Sequence, residues 1–146
     1  MTSGCVFCDN EGGVRLWRDE RCRVVLVDEP FPGFCRVVWN AHVAEMTDLA
    51  PADRAHLMDV VFAVEASLRA RLAPAKINLA SLGNLVPHLH WHVIPRYRDD
   101  SHFPQPVWGA AQRPGAARPL APDAVDALAG DLAAVLGRGS AAMAAP

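Results

Sequence analysis

The sequence predicts an α+β domain: a five-stranded antiparallel sheet with one main helix and a C-terminal helix. Three observations carry that expectation. His88-Leu89-His90-Trp91-His92-Val93-Ile94 alternates polar and apolar residues, the period of a strand with one face on a core. Two apolar runs, 22–28 and 34–39, flank Glu29-Pro30-Phe31-Pro32-Gly33, as the arms of an antiparallel pair would. Leu57, Val61, Val64 and Leu68, with Met58 and Phe62 beside them, recur at helical spacing.

In chain order, Cys5-Val6-Phe7-Cys8 forms a knuckle, Gly12-Gly13 a turn, and residues 14–17 a short first strand. Residues 22–28 and 34–39 are strands two and three. Pro51 suits the first turn of a helix over about 51–72, and Pro74 ends it. Residues 76–82 form a fourth strand, Gly83-Asn84 a turn, and residues 88–94 a fifth, bracketed by Pro87 and Pro95. Strands four and five should pair as a hairpin, which brings Asn78 and the turn close to the histidines. Residues 98–119, rich in Pro, Gly and Arg, read as irregular. Pro122 to Leu136 suits a second helix, with Val125, Leu128, Leu132, Val135 and Leu136 apolar, and residues 137–146 should fray. One domain over 1–146 results, with its core at about 5–96 and an extension over 97–146.

The composition fits a folded, soluble domain. Of the 146 residues 51% are hydrophobic and 21% charged, enough apolar material for a core without staples. No apolar run reaches the length of a membrane span, and the first residues lack a signal peptide's basic and apolar regions, so the expected location is the cytoplasm. A net charge of −2 argues against general nucleic-acid binding but leaves room for one small phosphorylated ligand. Four cysteines in that setting suggest thiols or a metal site rather than disulfides.

On a strand, His88, His90 and His92 would line up on one face, opposite Leu89, Trp91 and Val93. Three readings fit three imidazoles there. They can be polar residues on a solvated face. They can ligate a catalytic metal, in which case the protein is a metal-dependent hydrolase. Or one of them, neutral, can attack phosphorus while its neighbours orient it and donate to the phosphate and leaving group.

The motif His-φ-His-φ-His-φ-φ, with φ apolar, resembles that of the histidine triad (HIT) family. The likeness extends over residues 5–96: 24–28, Pro32-Gly33, 37–42, the helix after Pro51, Asn78, Gly83-Asn84 and Pro95-Arg96 follow the family's order. It implies a five-stranded sheet that commonly pairs into ten strands in a homodimer. It also implies a nucleotide hydrolase or transferase acting on a purine-type nucleotide, such as a nucleoside phosphoramidate, a dinucleoside polyphosphate or an adenylylated adduct. By the same likeness His90 is the nucleophile, His92 contacts the α-phosphate and leaving oxygen, and His88 helps orient His90. Asp28 would bind ribose hydroxyls, Asn78 would lie near the phosphate, and Gly83 and Asn84 match a Gly-Gln pair. The chemistry needs no cofactor. Three departures stand out: Leu85 where many members carry a hydroxyl donor, Pro87 directly before the triad, and Phe34 in place of a common His. They leave open a nucleotide-binding module with little turnover.

Some relatives complete a CxxC knuckle with two histidines, which here would be His42 and His88. Cys5, Cys8, His42 and His88 would then hold a structural zinc; two unligated thiols are the other reading. Cys22 and Cys35 read as core packing, His56 as surface, and Arg96 and Arg98 as a solvated edge. His102 has only a weak claim to line the pocket. Trp108 reads as an anchor for the irregular segment.

Overall fold

A computed structural model describes residues 4–27, 30–116 and 119–138. A one-turn helix, α1 (Val6–Asp9), precedes three strands, β1 (Val14–Arg18), β2 (Cys22–Leu26) and β3 (Cys35–Trp39). A 3-10 turn (Met46–Asp48) leads into α2 (Pro51–Leu72), followed by β4 (Lys76–Ala80), β5 (His90–Arg96) and α3 (Pro122–Leu136). The sheet is antiparallel throughout, in the order β1-β2-β3-β5-β4. Both expected pairings, strand two with three and strand four with five, are present.

Helices α2 and α3 pack on one face of the sheet. Cys22, Val24 and Leu26 of β2, Cys35, Val37 and Trp39 of β3, and Val93 of β5 meet Leu57, Val61, Val64 and Leu68 of α2 there. Leu128 and Leu132 of α3 close the same core, while Phe62 turns to solvent. Buried without shape mismatch, Cys22 and Cys35 act as small apolar residues, and burial pushes the Cys22 thiol well above its usual range. The opposite face carries Arg23, Val25, Arg36, Val38, His90 and His92, by the alternation of each strand.

The structure shifts the last strand by two residues. β5 starts at His90 and runs through Pro95 to Arg96, so Pro95 sits within the strand and His88 lies outside it. Proline is tolerated because of where its nitrogen points. The Arg96 carbonyl faces β4, accepting from the Ala75 N–H, so residue 95 faces the other way. On that side β3 reaches only Cys35, opposite Val93, and no ladder bond is lost. The Pro95 ring packs on Gly33, whose φ of +82° and close contacts favour glycine: a Cβ there would lie 2.7 Å from Leu72 and 3.0 Å from Pro95.

The irregular segment after β5 is organised by a buried arginine, contrary to the solvated edge expected of Arg96. Only 2% exposed, Arg96 donates to both carboxylate oxygens of Asp100, to Asn78 Oδ1 and to the Gln105 carbonyl. Asp100 also accepts from the backbone N–H groups of His102 and Phe103. His56, expected at the surface, is half-buried and pairs with Asp19 at 2.6 Å.

Candidate active site

Two of the three imidazoles share a face, and the third does not. His90 and His92 stand on the face of β5 opposite α2 and α3, ring centroids 4.8 Å apart and nearly perpendicular. Preceding the strand, His88 is fully buried, and its ring is turned into a different cluster. Strand alternation ends where β5 ends, which is why the expected row of three becomes two plus one.

The tautomer of His90 is fixed by the main chain. His90 Nδ1 lies 2.6 Å from the His88 carbonyl, an acceptor only, so Nδ1 carries the proton and Nε2 the lone pair. Nε2 has no hydrogen-bond partner among the described residues. Burial lowers the basicity of His90; the bond to His88 opposes that shift and the Arg36 charge adds to it. His92 is pushed down to about 4 by burial, then by His90 and Arg36. Both rings are therefore neutral at pH 7. His92 Nδ1 is buried without a partner among the described residues.

Aromatic side chains wall the pair. Phe7, from α1, meets His90 edge-on at 4.7 Å, and Phe34 meets His92 at 5.4 Å. Trp108, 51% exposed, stands 5.0 Å from His92, so the irregular segment that carries it touches the imidazole pair. His102 packs on Phe31 at 5.3 Å, one layer away from the pair.

Asn78, Gly83 and Asn84, expected at the ligand, lie on β4 and the loop that follows it. Asn78 Oδ1 accepts from Arg96 Nη1 at 2.9 Å, which leaves its amide N–H groups as donors. Gly83 has a φ of +76° and lines a cavity of about 300 Å3 shared with Met46, Ser81, His88 and His90. Asn84 is exposed on the same loop, and Leu85 is 97% exposed, adding no donor to the site. Asp28 lies outside the described residues.

The first imidazole faces two thiols. His88 Nε2 donates to the Trp39 carbonyl at 2.6 Å, which turns the Nδ1 lone pair toward Cys5 Sγ at 3.4 Å, Cys8 Sγ at 3.5 Å and His42 Nδ1 at 3.2 Å. Cys8 Sγ is 3.4 Å from His42 Nδ1, and the four donor atoms all lie within 4.8 Å of one another. A tetrahedral zinc requires N–N edges of about 3.3 Å and N–S edges of about 3.6 Å, so the donors fit a Cys2His2 ion. The Trp39 bond supplies the outer acceptor that ligating imidazoles usually have.

Sequence reasoning missed Phe7 and Arg36 as members of the site. Arg36 left a trace: it is the one charged residue in an otherwise apolar strand, at a position that alternation assigns to the histidine face.

This combination of sheet order, paired imidazoles and knuckle coincides with a known family. The HIT domain model matches residues 11–99, and the chain belongs to the histidine triad family. It is similar to the crystal structure of a histidine triad protein from Bradyrhizobium japonicum, with 28% identity, a TM-score of 0.68 and coverage of 86% of this chain and 91% of that one. A histidine triad protein from Sinorhizobium meliloti is 31% identical, with a TM-score of 0.67 and coverage of 86% and 90%. A protein from Sulfolobus tokodaii described as a hypothetical histidine triad nucleotide-binding protein shares the fold at 20% identity, with a TM-score of 0.60 and coverage of 90% and 91%. No curated protein matches the sequence at a significant level.

Proposed function

We propose that this chain is a nucleotide hydrolase or nucleotidyl transferase that works at an α-phosphate through His90. One observation carries the reading: the His88 carbonyl holds the His90 proton on Nδ1, leaving an unpaired Nε2 lone pair beside His92. In the first step Nε2 attacks phosphorus, a P–N bond forms, and the bond to the leaving group breaks with its electron pair. A polyphosphate leaves as its anion, and an amine takes a proton from solvent. His92, neutral, contributes an N–H to a phosphate or leaving-group oxygen rather than a full positive charge. Water, or another acceptor, then attacks the nucleotidyl-histidine, releases His90 and gives up its proton to solvent.

Nucleoside phosphoramidates, dinucleoside polyphosphates and adenylylated adducts, with a purine nucleoside, are the candidate substrates. Asn78 would donate to the phosphate, Gly83 and Asn84 would border it, and Asp28 would take the ribose. Cys5, Cys8, His42 and His88 would hold a structural zinc, which would brace residue 88 and its carbonyl while His90 attacks. The edge of β4 would pair with a second copy to extend the sheet. Among the described residues no helix is long and apolar enough to cross a membrane, in keeping with action in the cytoplasm.

Three-histidine metal catalysis is disfavoured by orientation. His88 directs one ring nitrogen to Trp39 and the other to the thiols, and His90 Nδ1 is committed to a carbonyl. The deciding experiment is trapping with an α-32P-labelled dinucleoside polyphosphate or phosphoramidate. Label should be retained by the wild type and by His102→Ala and be absent from His90→Ala, whose kcat should fall by about 10³-fold or more. Chelator-sensitive turnover without any adduct would sink the proposal in favour of a metalloenzyme. Tight nucleotide binding without product would leave only a binding module.

A further inference from the structure

We propose that Arg36 binds the phosphate under attack, completing an anion subsite with His90 and His92; this rests on the reading of His90 above. Arg36 stands directly opposite His92 in the β3–β5 register and so shares the histidine face. Its guanidinium carbon lies 5.5 Å from the Phe7 ring and 5.9 Å from the Phe34 ring. Phe7 meets His90 at 4.7 Å, Phe34 meets His92 at 5.4 Å, and the imidazoles are 4.8 Å apart. Five side chains thus close a ring with neighbours about 5 Å apart.

The donor inventory of Arg36 points the same way. Nη1 donates to the Gly12 carbonyl at 3.0 Å, while Nε is buried without a partner among the described residues. Nearby arginines are better satisfied. Arg23, on the same face, donates to the carbonyls of Phe7, Asn10 and Glu11 and to Asn40 Oδ1. Arg96 has Asp100. Glu11 pairs with Arg15, Arg18 and Arg23, and among the described residues no carboxylate pairs with Arg36. A half-buried cation held by two aromatic rings and one carbonyl has lost solvent without gaining an anion. The non-bridging oxygens of a phosphate supply that anion, and two guanidinium N–H groups can bond them. Arg36 thereby brings a positive charge to the face where negative charge builds on phosphorus.

The test compares AMP with adenosine by titration calorimetry on the full chain. Arg36→Leu should weaken AMP by about tenfold or more and leave adenosine within about twofold, and Arg36→Lys should restore most of the loss. Should adenosine bind too weakly to measure, the ionic-strength dependence of AMP binding decides: steep in the wild type, shallow in Arg36→Leu. AMP and adenosine weakened alike, or AMP unaffected, would overturn the assignment, since a residue that only shapes the wall makes no distinction by charge. If the wild type itself neither binds AMP nor forms a His90 adduct, the reading beneath the proposal falls with it. An adduct on His90 together with full AMP affinity in Arg36→Leu removes Arg36 alone.

Discussion

Residue 88 does two separable jobs. Its carbonyl, a backbone atom, sets the tautomer of His90, while its ring belongs to the thiol cluster. His92 illustrates a different cost. In the unfolded chain it would titrate near 6.5, whereas burial beside Arg36 and His90 lowers it to about 4 in the fold. A His whose folded value is depressed stabilises fully above the unfolded value; as pH falls below 6.5 the unfolded state takes up a proton that the fold refuses. The loss should develop between pH 6.5 and about 4, amounting to roughly 3 kcal/mol from this residue, with His88 and His90 shifting in the same direction. Urea denaturation at pH 7 and pH 4.5, with chelator present in both so that metal release plays no part, checks it. His92→Asn should show a shallower pH dependence than wild type; identical slopes would refute the assignment.

At the scale of elements, helix packing and the loop after β5 rest on unequal forces. Asp131 on α3 accepts from Ser67 and Arg71 on α2, and these bonds hold its carboxyl at about 2. Arg71 is nearly half exposed, so solvent screens this tie and it should contribute little. Leu132, 2% exposed one position along, should cost about 3 kcal/mol when cut to Ala. Denaturation midpoints of Asp131→Ala and Leu132→Ala would separate the two, and equal effects would show that the salt bridge had been undervalued. The loop is the reverse case. Its charge pair is buried, so Asp100→Ala strands Arg96 and should cost about 3 kcal/mol or more, with altered Trp108 fluorescence reporting the effect at the site.

These elements were legible to different degrees. α2 and α3 fall where the apolar spacing places them, because a helix stripe is a local property. The start of β5 is not local: it depends on β3, whose pairing with β5 begins at Val38 opposite His90, and on the cluster that draws residue 88 aside. Arg96 looked like an edge residue because its partner Asp100 lies on a loop whose course the sequence does not encode in any period. Phe7 and Arg36 are 29 positions apart and meet only because α1 folds back across β2 and β3.

For the whole molecule, metal and assembly can be read in one measurement. Native mass spectrometry of the full chain should show two copies of the 15.8 kDa chain, each with one zinc, and Cys8→Ser should lose the metal. A single, metal-free chain in both samples would refute the zinc and the dimer together.

The four donors of the cluster come from residues 5, 8, 42 and 88, and Cys5 and His88 are 83 positions apart. With zinc bound they would act as a clasp that joins α1 to the segment just before β5. By the chain-entropy argument, a cross-link closing a loop of that length removes roughly 4 kcal/mol of freedom from the unfolded chain. The clasp has an order in time as well. Cys5 and Cys8 precede residue 88 by some eighty positions, so the cluster can close only once His88 has been synthesised.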